Sequence, residues 1–212
     1  MASFEQAVKV ILATFTVFTG FTLTAAIKSA VESSDVIAWI VLVALSALLL
    51  RFIIGSAIHL NYTYVEKTGN QTRSKSVALL FKDLIFLVLF GMLAITMTAA
   101  LTKNGVDLAA FLRGACLYLL AGFLWSPVDH VARKFHVWWT ESDFETAHVG
   151  SFWRTWMVVD AIQLVVTVLL LVGAFFCRGL DPWIALIAAT LYVGFLLYDM
   201  YKMIGADAAE AA

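Results

Sequence analysis

Charge is scarce in this sequence. Only 14% of its 212 residues are charged and 62% are hydrophobic, whereas soluble domains carry about 25% charged residues. So little polar material cannot clothe a water-soluble fold of this size. The 14 lysines and arginines form no basic block and the formal net charge is −1, which leaves no electrostatic footprint for nucleic acid. Proline is nearly absent. With only Pro127 and Pro182, long helices can run without interruption. Two cysteines, Cys116 and Cys177, both lie in apolar segments, which excludes a disulfide framework and a thiolate metal site.

Catalytic signatures are missing as well. The chain has no GxSxG elbow, no HExxH pair, no Walker glycine loop and no dinucleotide fingerprint, so hydrolytic and group-transfer chemistry finds no support. Of four histidines, only His59 falls within an apolar run. His130, His136 and His148 do not share the four-residue spacing of helical zinc sites. No metal and no cofactor is therefore expected.

What the chain does contain is long apolar segments. Runs of about 20 such residues mark membrane-crossing helices. Six are expected, at 7–27, 36–59, 77–101, 106–125, 156–177 and 183–204, forming an all-α polytopic bundle in one transmembrane domain, residues 1–212. The first run carries Glu5 and Lys9 ahead of it and no convincing cleavage site before Lys28, so it reads as a span rather than a leader.

Lysine and arginine counts set the expected orientation. With the N-terminus inside, the inner side holds Lys9, Lys67, Arg73, Lys75, Lys82, Arg133, Lys134, Arg154 and Lys202, with Arg51 nearest that face. The outer side holds only Lys28, Lys103, Arg113 and Arg178. Both termini are thus expected inside, in a bacterial inner (plasma) membrane. Trp39 and Trp183 fall near outer helix ends and Trp125, Trp153 and Trp156 near inner ones, where indoles form interfacial belts. Glycines recur in every span without a strict GxxxG pair, consistent with close helix crossings and a homo-oligomer.

The inner connection 126–155 carries helix signals of its own. Ser126 followed by Pro127 reads as a cap with proline at the first helical position, and Asp129 suits the first turn. Val128, Val131, Phe135 and Trp138 then form one stripe, which predicts a short amphipathic helix in the inner interface. Thr140 with Asp143 reads as a second start.

One apolar run contains a guanidinium. In "LLLRFIIGSAIHL", Arg51 lies eight residues before His59, or ~12 Å inside the helix end at 1.5 Å per residue. An unpaired charge there costs at least ~2.5 kcal/mol on insertion scales, so a partner is expected. Asp83, Asp160 and Asp199 fall at similar inner depth, with His59, Gln163, Lys82 and Lys202 near them. Arg51, His59, Asp83, Asp160, Asp199 and Lys202 are therefore expected to gather into one transport or gating cluster. Thr16, Thr19 and Thr22 in the first span are candidate pore-lining hydroxyls, with interhelical hydrogen bonding as the plainer role.

The function expected from these features is a small membrane channel or transporter for an ion or small polar solute. The alternative is a membrane sensor or anchor subunit that recruits a cytoplasmic partner through the inner loops 60–76 and 126–155. Beyond the lipid bilayer and copies of itself, that protein is the one partner implied.

Overall fold

The computed structural model of the chain describes residues 4–61, 73–134 and 147–210. It is all-helical apart from one small hairpin. Six long helices follow in order: α1 (Phe4–Ser33), α2 (Val36–Asn61), α3 (Arg73–Ala99), α4 (Leu108–Lys134), α5 (Ala147–Phe176) and α6 (Asp181–Glu210). Each contains a stretch long and apolar enough to cross a membrane, as expected of an integral membrane protein.

Local chemistry explains where these helices start. Asp35 Oδ1 accepts the Ile37 N–H at 2.9 Å, and Asp107 Oδ1 accepts the Ala110 N–H at 2.9 Å. Each carboxylate satisfies a donor that the first turn leaves free. Between α1 and α2 the chain reverses in two residues through Ser34, which adopts a positive φ of 51°. Between α3 and α4 it forms an antiparallel hairpin, β1 (Leu101–Thr102) and β2 (Gly105–Val106). The two-residue turn is Lys103 and Asn104, and Gly105, which opens β2, has φ +119°, a conformation suited to glycine. The spans expected at 77–101 and 106–125 therefore end and begin in strands, not helix.

A second difference concerns Pro127. No separate helix starts at Ser126, because α4 runs through Pro127 to Lys134. Proline removes only one backbone donor, and within a helix bundle the neighbouring groups absorb that loss. The rest of the predicted amphipathic stripe and the Thr140–Asp143 start lie outside the described residues. So do residues 62–72, between α2 and α3.

α1 packs on α2 and α3, α2 on α6, α3 on α4, α4 on α5, and α5 on α6. The helices thus close a ring in the order α1, α2, α6, α5, α4, α3. Their outward faces expose large apolar side chains, among them Phe21, Leu169 and Phe176, and hydrocarbon is the solvent that such faces fit. The ring interior is filled by aromatic side chains. Phe52 of α2 meets Phe15 of α1 at 5.5 Å, Phe90 of α3 at 3.7 Å, and Tyr118 and Trp125 of α4 at 5.5 and 5.8 Å between ring centroids. α5 and α6 part on the outer face around an open apolar groove of about 670 Å³ beside Ile162 and Gly194.

Candidate functional site

Arg51 projects from α2 into the interior and is only 6% exposed. Its Nε donates to Asp199 Oδ2 on α6 at 2.6 Å. Its Nη1 donates to Asp160 Oδ1 at 2.5 Å and to Gln163 Oε1 at 2.7 Å, both on α5. One guanidinium therefore ties three helices together. The two acids and Gln163 are equally buried. Asp160 and Gln163 reach the same group because a spacing of three puts them on one face of α5.

The indole of Trp156 completes this arrangement. Its Nε1 donates to Asp199 Oδ2 at 2.9 Å, and the Arg51 guanidinium carbon lies 5.1 Å from the ring centroid, within cation–π range. Gly55, one turn along α2 from Arg51, makes the room. A Cβ built there would lie 1.6 Å from Trp156 Cη2. Gly122 does the same for Asp160, whose Oδ2 would be 3.2 Å from a Cβ at that position. The small residues in these spans thus seat polar side chains as well as neighbouring helices.

Further along α2, a second constellation forms around Asp83 of α3. Its Oδ2 lies 3.2 Å from His59 Nε2. Its Oδ1 accepts the Trp125 indole N–H at 2.9 Å and lies 3.0 Å from Lys82 Nζ. His59 packs edge-on against Trp125, with centroids 5.0 Å apart. The two sites share α2 but use different faces of it. Arg51 looks toward α5 and α6, and His59 toward α3 and α4.

The single cluster expected from depth along the spans is thus two. Arg51, Asp160 and Asp199 come together, as do His59 and Asp83. Lys202 joins neither: it is exposed, with Nζ 5.9 Å from the Tyr198 ring centroid. Asp199 faces inward at its depth, and three residues later the longer side chain has turned to the outer face. Thr16, Thr19 and Thr22 each donate to the carbonyl four residues earlier, on Leu12, Phe15 and Phe18. Thr19 and Thr22 are buried and Thr16 is exposed, so the three line no common wall.

Sequence reasoning gave Trp125 and Trp156 to the interfacial belt, yet both are buried hydrogen-bond donors to aspartates. Their neighbours carried the signal, an indole within one helical turn of an intramembrane acid's depth. Gln163, Thr167 and Tyr192 extend the polar interior: Thr167 Oγ1 lies 2.9 Å from Tyr192 Oη and donates to the Gln163 carbonyl at 2.7 Å.

Charge counting shows what the Arg51 site can do. With all groups ionised, one guanidinium faces two carboxylates, so the buried set carries an excess negative charge. A buried arginine has five N–H donors to satisfy, so several partners also serve its burial. This one has a carboxylate partner on each of two helices, α5, which packs on α4, and α6, which packs on α2. Comparison with protein-family models, with curated proteins and with solved structures returns no match.

Proposed function

We propose that this chain is a small membrane channel or transporter for an ion or small polar solute, with Arg51, Asp160 and Asp199 as its ion-handling element. The observation that carries the reading is the double partnership of Arg51. The desolvated guanidinium is bonded to α5 and α6 at once, and releasing either carboxylate would free one helix to move relative to the other. Such a two-state element is what alternating access or gating requires. The excess carboxylate supplies the charge that a cation or proton needs on its way across.

In this reading the helix ends that carry 62–72 and 135–146 face the cytoplasm of a bacterial inner membrane, which the lysine and arginine count supports. Copies of the chain associate, because glycines in the spans allow close approach. Crosslinking in native membranes that returned only monomer would remove this part.

The test is flux from proteoliposomes under K⁺, Na⁺, H⁺ and Cl⁻ gradients and with small uncharged solutes, set against protein-free vesicles. Flux above that baseline is expected, and it should change in Asp199→Asn, which keeps the shape and removes the charge. Folded protein that moved none of these would sink the proposal and shift the weight to a sensor or anchor role.

A further inference from the structure

Four buried polar atoms in the interior have no hydrogen-bond partner among the described residues: Arg51 Nη2, Gln163 Nε2, Ser56 Oγ and Tyr118 Oη. Each belongs to a side chain more than nine-tenths buried. Leaving such a group unsatisfied costs about 1–3 kcal/mol, so each of these atoms calls for water or a solute as its partner. These atoms also have an order in space. Ser56 sits one turn from His59 and one turn from Phe52, on the α2 face turned toward α3 and α4. The Tyr118 ring lies against Phe52, the residue that follows Arg51 on α2, and against Phe90 of α3. Both hydroxyls therefore belong to the buried interior around Phe52, which adjoins the His59–Asp83 site and the Arg51 site.

We infer that the transported species is the proton, and that it passes between these two sites through Ser56, Tyr118 and ordered water. The inference rests on the transport reading above and names its substrate. Chemistry decides against the other ions. Arg51 Nη2 and Gln163 Nε2 offer N–H groups and no lone pair, which does not suit a metal ion. Two carboxylates beside the guanidinium do not suit chloride. A proton needs only a chain of groups that each accept one hydrogen as they release another. His59 and each hydroxyl do so, and the Asp160 carboxylate receives it. One proton enters, one leaves, and every side chain returns to its starting form.

The titratable and charged groups facing this path are His59 and Arg51 from α2, Lys82 and Asp83 from α3, Tyr118 from α4, Asp160 from α5 and Asp199 from α6. From α1, among the described residues, the buried polar groups are the hydroxyls of Thr19 and Thr22.

The experiment uses the full chain in vesicles loaded with a pH-sensitive dye, with a K⁺ gradient and valinomycin setting the driving potential. Ser56→Ala and Tyr118→Phe each remove a hydroxyl that holds no partner among the described residues, so neither variant should melt below the parent. Proton uptake is expected from the parent and should fall about tenfold in each variant, less than the ~10²-fold of a fixed proton-transfer group, since water can fill the gap. Parental proton uptake in both variants would overturn the path. Flux of Na⁺, K⁺, Cl⁻ or an uncharged solute without proton flux would overturn the inference and leave the transport reading standing. No flux of any kind would remove both.

Discussion

Replacing Arg51 separates a buried network from a lone charge. In Arg51→Ala the hydrogen bonds to Asp199, Asp160 and Gln163 vanish together, and two carboxylates remain in the interior without their cation. Breaking a buried ion pair by removing one partner costs about 3–5 kcal/mol, mostly as the penalty on what is left behind. Removing the whole charged set with groups of similar volume costs little and can stabilise. The triple variant Arg51→Met, Asp160→Val, Asp199→Val should therefore melt well above Arg51→Ala, short of the parent mainly by the bond that Trp156 loses. At about 2–4 °C per kcal/mol for a chain of this size, the single variant should lose roughly 10 °C. Thermal unfolding in detergent, followed by size-exclusion of the surviving protein, measures both. An Arg51→Ala melting point equal to the parent's would refute the reasoning, because it would mean the carboxylates never needed the guanidinium. A triple variant no better than the single one would locate the damage in lost packing instead.

Further consequences concern individual positions. Gly55→Ala should displace the Trp156 ring and weaken its bond to Asp199, costing about 1–3 kcal/mol from overpacking alone. Gly194→Ala, where a Cβ meets nothing within 4 Å, should be neutral; comparing melting points and tryptophan emission of the pair checks the claim. Thr19→Val removes a hydroxyl bonded only within α1. Flux at the parental rate is expected, and a fall matching that of Asp199→Asn would restore the threonines as pathway residues. Cys177, exposed just after α5, should react with a membrane-impermeant maleimide from outside sealed right-side-out vesicles. Labelling only after lysis would reverse the orientation.

Much of this architecture was legible from the chain. Long apolar runs specify helices because unpaired backbone groups cannot be left in hydrocarbon, and the cost of Arg51 in such a run demanded acids at matching depth. Asp160 and Asp199 met that demand. Rotation about the helix axis was harder to read than depth along it. Eight residues at 100° each leave His59 about 80° around α2 from Arg51, enough to point it at other helices and split the expected cluster. The same blindness let Lys202 follow Asp199 into the site. Trp125 and Trp156 looked interfacial because the apolar runs end there, but α4 continues to Lys134 and α5 starts already at Ala147. The hairpin did leave a mark, Asn104-Gly105, which the short connection between spans concealed.

The central claim is that Arg51 needs both of its acids. Asp160→Asn and Asp199→Asn, each reconstituted separately and checked for folding, test it most directly. If Arg51 alternates between α5 and α6, each variant holds it on the remaining carboxylate and ion flux should fall in both. If either variant transports at the parental rate, one partner suffices, and Arg51 is a structural charge rather than part of the transport machinery.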